Sequence, residues 1–157
     1  MHIDVEQVVR EYIDKTVHMS LATVHDGMPW VCEVHFAYDN DLNLYWRSKP
    51  STRHSRELMA NPRVAGNIID KYALGEAPVG VYFEGTARVV TDDSELERAA
   101  QCLAARLDGD ATSIIEEATP EGHPVYTVDV ANWYVFGRFG ADSGQKFALP
   151  WHHKKTA

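Results

Sequence analysis

Apolar and polar positions change period several times along this chain, and each change marks an element. Val5, Val8, Val9, Tyr12 and Ile13 recur at helical spacing behind Asp4, a residue suited to cap a helix start. The run from His18 to His25 reads as a strand, and Asp26-Gly27 after it is a hairpin signal. Trp30, Cys32, Val34, Phe36 and Tyr38 alternate with Val31, Glu33, His35 and Ala37, which predicts one strand with two distinct faces. Asp39-Asn40-Asp41 makes a second turn, and Leu42, Leu44 and Trp46 mark a third strand. Connections this short exclude crossovers, so the three strands form an antiparallel meander.

The period turns helical over Ser51 to Ala60, and Asn61-Pro62 stops it. Strands follow over Arg63 to Asp70 and Val79 to Val90. Gly85 inside the second points to a bulge, a bend or a close backbone approach. Asp92 with Glu95 resembles a capping box, and Leu96, Ala99, Ala100, Leu103, Ala104 and Leu107 then form a helical stripe. Ala111 to Ala118 reads as a short helix, and Pro124 to Phe136 as a last long strand rich in β-branched and aromatic residues. Beyond Gly137 no period is clear. Six strands, mostly antiparallel, with few helices, predict a mainly β fold: a six-stranded barrel in a single domain over residues 1–157.

Chemistry concentrates at one break in this pattern. Between the third strand and the second helix stand Arg47, Ser48, Lys49, Ser51, Thr52, Arg53 and His54. A helix start has unpaired N–H groups and a positive dipole end, and hydroxyl and guanidinium groups beside it make a phosphate cradle. The bland alternative is a solvated helix cap. The basic cluster runs against a formal net charge of -8, and that acidic balance argues against nucleic acid or an anionic membrane as partner. Cys32 and Cys102 lie far apart without a C-x-x-C, so neither a disulfide framework nor a zinc site is indicated. MHIDVEQVVREY lacks an apolar signal region and no run reaches membrane-spanning length, so a cytoplasmic location is the expectation. Gly-rich nucleotide loops and G-x-S-x-G are absent, which argues against Rossmann, P-loop and esterase chemistry.

In order along the chain stand S-L-A-T-V-x-x-D-G-x-P (Ser20 to Pro29), L-Y-W-R-S (Leu44 to Ser48), S-T-R-H-x-x-x-L-x-x-N-P-R-V (Ser51 to Val64) and F-E-G-T-A-R-V-V (Phe83 to Val90). Together they resemble the pyridoxamine 5'-phosphate oxidase-like, FMN-binding split-barrel family. Each motif is weak alone; four in this order are specific. The resemblance implies a split β-barrel, a homodimer, and FMN bound at the dimer interface. It implies that Val34 and His35 run along the flavin ring and that Arg47 and Ser48 end the next strand beside the ring and ribityl chain. Thr52, Arg53 and His54 fall where the family holds the phosphate, with Ser51 as a neighbouring donor; Arg53 is the first candidate, because its guanidinium can make two parallel hydrogen bonds to a phosphate. The chain departs from the family at His54, where Lys or Arg is usual. It has no counterpart of the C-terminal Arg/His segment that grips pyridoxal phosphate, which argues against vitamin B6 oxidation itself.

These implications give an FMN-dependent oxidoreductase acting on an unspecified small molecule. The alternatives are a flavin-binding reservoir or sensor without turnover, and a deazaflavin- or haem-binding member of the same fold. No catalytic acid or base is assigned, because the flavin itself carries the electrons. His18, His25 and His35 fall on strands without a compact ligand motif, so no metal site is expected. His152-His153-Lys154-Lys155 reads as a solvated tail. Trp30, Trp46, Tyr82 and Trp133 are more large aromatics than a small barrel comfortably holds, so some are expected to face a partner chain.

Overall fold

A computed structural model describes residues 2–151, and the 152–155 tail lies outside them. The chain opens with helix α1 (Val5–Asp14), capped as expected by Asp4, whose carboxylate accepts from the Gln7 N–H at 3.0 Å. Strands β1 (His18–His25) and β2 (Met28–His35) form the first hairpin. Asp26 (φ 50°) and Gly27 (φ 73°) are both left-handed, as a two-residue hairpin turn of the I′ type requires.

The strand expected over Trp30 to Tyr38 is interrupted at Phe36. After β2 the chain makes only the two-residue β3 (Ala37–Tyr38) before β4 (Leu44–Arg47). The reason lies in the sheet. With β5 (Arg63–Ile68), β6 (Gly80–Val89) and β7 (Val125–Gly137), its order is β2-β1-β5-β6-β7-β4-β3. So β2 and β3, neighbours in sequence, occupy opposite ends of one curled antiparallel sheet. Phe36, fully buried, is where the chain crosses between them and brings the ends together. Its N–H donates to the Val17 carbonyl at 2.9 Å.

An eighth strand, β8 (Gln145–Pro150), pairs with Asn132–Gly137 of β7, while β4 takes Val125–Val128 of the same strand. Among the described residues the count is therefore eight rather than six, in a mainly β, antiparallel split barrel. β8 left no apolar period to read because its residues are exposed or only half-buried. Leu42, expected in a strand, has φ 58° and belongs to the turn. Gly85 sits at a bulge where β6 shifts register against β7, and a Cβ there would lie 2.3 Å from the Asp129 carbonyl oxygen.

The other helices are α2 (Arg53–Ala60), α3 (Asp93–Leu107) and α4 (Ala111–Glu117). Asp92 caps α3 by accepting from the Glu95 N–H at 2.9 Å. The box stays half-made, since the Glu95 carboxylate instead takes Arg88 at 2.9 Å. Two cores result. One fills the barrel with Leu21, Phe83 and Val128, and α1 adds Val9 and Ile13. Trp46 and Trp133 are wholly buried in it, so the barrel holds more aromatic bulk than its size suggested; Trp30 is 39% exposed. The second core packs α3 and α4 against Ala37, Tyr45 and Val125. Among the described residues no helix is long and apolar enough to cross a membrane.

Candidate functional site

Strand alternation decides where the basic cluster points. Leu44 and Trp46 face the barrel core, and Tyr45 faces the helical core. Arg47 shares the face of Tyr45 at the strand end, so its guanidinium reaches towards α4. There its Nη2 donates to Glu117 Oε2 at 2.6 Å. Its Nε is buried without a hydrogen-bond partner among the described residues. Ser48 follows, buried, with Oγ 2.7 Å from His54 Nε2. Thr52 Oγ1 is 3.3 Å from the same nitrogen. Burial pushes the His54 imidazole below its ordinary pKa, against the pull of the Glu57 charge, so neutral imidazole is favoured there.

Arg47, Ser48 and His54 line a cavity of about 630 Å³. β2 contributes Glu33, Val34 and His35 to it, and β1 contributes His18. The opposite wall comes from the helices: Leu103 and Leu107 of α3, and Ser113 and Ile114 of α4, with Asp110 and His123 at its edge. Burial, then the charges of Arg47 and Lys49, push His123 below its ordinary pKa, with Glu117 opposing. One side of the cavity thus carries Arg47 with hydroxyl, imidazole and the Glu33 carboxylate, and the other is mostly apolar. Its volume falls within the range of about 300–1,000 Å³ usual for small-ligand sites.

Of the residues singled out in the sequence, Val34, His35, Arg47, Ser48 and His54 converge on this cavity. Ser51, Thr52 and Arg53 do not line it. Ser51 is exposed, and its carbonyl accepts from Arg56 Nη1 at 2.8 Å. Thr52 is the cap of α2, its Oγ1 accepting from the Ser55 N–H at 3.3 Å. Arg53 runs along its own helix to Glu57, Nε to Oε1 at 2.7 Å, with its guanidinium 4.2 Å from the centre of the Trp30 ring. Glu57 is itself buried and takes the Thr23 hydroxyl at 2.6 Å.

The helical wall was missed because Leu103 and Leu107 belong to a stripe that reads as ordinary core. The available signal was the break after it: Asp108 is left-handed (φ 54°), and the helix stops at Leu107 beside the cavity. The three strand histidines separate. His18 and His35 face each other, with Nε2 atoms 2.8 Å apart. His25 lies at the other end of β1, 3.3 Å from the Asp26 carboxylate.

Residues 5–137 match the pyridoxamine 5'-phosphate oxidase family. The chain belongs to that family. Its fold recurs in solved structures of low identity. A haem-binding protein from Mycobacterium smegmatis superposes with a TM-score of 0.74 at 19% identity, over 100% of this chain and 62% of the other. The chain therefore spans less than two thirds of that relative's length. HutZ, the haem storage protein from Vibrio cholerae, gives 0.65 at 18% identity over 94% and 95% of the two chains. An FAD-binding protein from Mesorhizobium loti gives 0.62 at 21% identity over 83% and 90%. No curated protein matches the sequence.

Proposed function

We propose that this chain binds FMN in the cavity between β2, the end of β4 and the α3–α4 wall, and works as an FMN-dependent oxidoreductase on a small molecule. The observation that carries the reading is the convergence of Arg47, Ser48 and His54 on that cavity, with Arg47 Nε buried and unpartnered among the described residues. An orphaned buried N–H is costly, and an anionic acceptor removes the cost. The donor set fits a phosphate: a permanent cation, a hydroxyl and an imidazole that can donate its N–H. Arg53, the first candidate in the sequence, joins only by leaving Glu57. The apolar faces of Leu103, Leu107 and Ile114 suit an aromatic ring system opposite the β2 backbone. When bound, the flavin supplies electron transfer; the residues here bind it, orient it and limit water on the helical side.

A second reading, haem binding, is favoured by the imidazoles of His18, His35, His54 and His123 along the same cavity and by the two haem proteins of like fold. We further infer a homodimer, supported by the large apolar side chains of Met28, Trp30 and Val31 left exposed on the edge strand β2. Light scattering at micromolar concentration tests it, and a monomer removes it.

Absorption spectroscopy of the purified chain titrated with FMN, and separately with haem, decides between the ligands. Saturable flavin binding with one FMN per chain, and mass spectrometry of any molecule released on denaturation giving FMN, is the expected outcome. Haem binding with a sharp Soret band and no FMN uptake overturns it. Bleaching of bound flavin by NAD(P)H, with turnover of an added acceptor, separates an enzyme from a binding protein.

A further inference from the structure

The first hairpin carries a paired feature of which the flavin reading uses only His35. His18 and His35 are register partners on adjacent strands, so the backbone fixes their Cβ atoms opposite each other. Their rings meet tip to tip, with Nε2 atoms 2.8 Å apart and centroids 4.5 Å apart. Two neutral imidazoles hold that contact only when one gives its Nε2–H to the lone pair of the other. A cation between them takes both lone pairs at once. Metal–imidazole bonds of about 2.0–2.1 Å put two ligand nitrogens on one ion roughly 3 Å apart or more. The rings need to part only slightly, and both are exposed, so little packing resists.

The surroundings suit a cation. Ser20 and Glu33 are the next partners on the same face, and the Ser20 hydroxyl donates to the Glu33 carboxylate. Glu33 and His18 line both the main cavity and a second hollow bordered by Thr16 and Asn67. Among the described residues no three His, Cys, Asp or Glu side chains form a ready cluster, so the imidazole pair is the anchor and water completes the coordination. Imidazole donors select zinc, nickel and copper over magnesium or calcium. We propose that His18 and His35 chelate a divalent transition-metal ion at the mouth of the cavity. The site needs no flavin to form, although His18 and His35 also line the cavity proposed for it.

The test is calorimetric titration of the full chain with Zn²⁺ and with Mg²⁺. A His152→Ala/His153→Ala background keeps that adjacent pair from contributing. Zn²⁺ is expected to bind at one ion per chain, and Mg²⁺ not at all. His18→Ala and His35→Ala each weaken Zn²⁺ by about tenfold or more, since even outer partners of a metal ligand are worth that much. His35→Gln keeps a hydrogen-bonding group without an imidazole and fails like His35→Ala, whereas His25→Ala binds as the parent does. Circular dichroism checks that the variants keep the sheet. Absence of Zn²⁺ binding overturns the proposal, and so does Zn²⁺ binding undiminished in His18→Ala/His35→Ala or matched by Mg²⁺.

Discussion

Arg47 and Arg53 belong to the same basic segment, and they end in opposite situations. Arg47 closes a strand. Its Nη2 takes a 57% exposed carboxylate, and its buried Nε takes nothing among the described residues. Arg53 opens a helix, its Nε on a buried carboxylate at 2.7 Å and its plane over Trp30. One guanidinium is under-satisfied beside a cavity; the other is already engaged outside it. Charge in a sequence marks a neighbourhood, and what each side chain meets after folding decides which of its cations faces the cavity.

The sharpest way to break this comparison is Arg47→Ala. Hydrogen bonds to charged groups are worth about 1.5–3 kcal/mol, so losing this cation is expected to weaken FMN by about one to two orders of magnitude. Riboflavin, without a phosphate, loses far less. Parallel titrations of apo-protein check both, and equal losses mean that Arg47 does not meet the phosphate.

Arg53→Ala tests the other half. It is expected to act on stability, because Glu57 keeps only Thr23 of the two hydrogen bonds that hold its carboxyl below the usual range. The variant is therefore expected to melt a few degrees below the parent. The sign with pH follows. A depressed carboxylate stabilises the fold above its unfolded pKa, and that contribution disappears as pH falls through the folded value. The gap in Tm between parent and variant therefore narrows on acidification. Should FMN affinity fall as far as in Arg47→Ala, Arg53 leaves Glu57 on binding, as the family resemblance implies.

Much of this was legible in the residues. The Asp26-Gly27 hairpin, the Gly85 bulge and the Asp4 and Asp92 caps each depend on local chemistry, and each stands in the structure. The interruption at Phe36 was not legible, because unbroken alternation from Trp30 to Tyr38 carries no mark of a chain crossing between sheet ends. Alternation did put Arg47 on the face of Tyr45. What lay opposite depended on how α3 and α4 fold back, and that is a long-range fact. For Arg53 the spacing to Glu57, one helical turn on, was in plain view; reading it as an ion pair would have set its direction.

Removing Glu117 sharpens the comparison from the other side. Its carboxylate competes with any anion for Arg47, and it is more than half exposed. Exposed pairs contribute about 0–1 kcal/mol, so Glu117→Gln is expected to raise FMN affinity by no more than about fivefold. The same titration measures it, and a weaker complex would mean that Glu117 orients Arg47 rather than competes with the ligand.

At neutral pH the effect of His54 is of the same small size. Burial lowers its pKa, so near pH 7 it meets a phosphate chiefly as a neutral donor, and Ser48 stays beside it. His54→Ala is expected to cost only a few-fold in FMN affinity there, about 1 kcal/mol for a neutral hydrogen bond. The cost grows as pH falls, because a bound dianion pulls a proton onto the imidazole and the pair becomes charge-assisted. Growth stops near pH 6, where the phosphate begins to take its own second proton. His54→Lys fixes the charge and is expected to flatten that pH dependence while tightening FMN. Titrations of parent, Ala and Lys proteins between about pH 6 and pH 8 follow the three curves. If they run parallel, His54 does not meet the phosphate, and Arg47 and Ser48 are left to hold it.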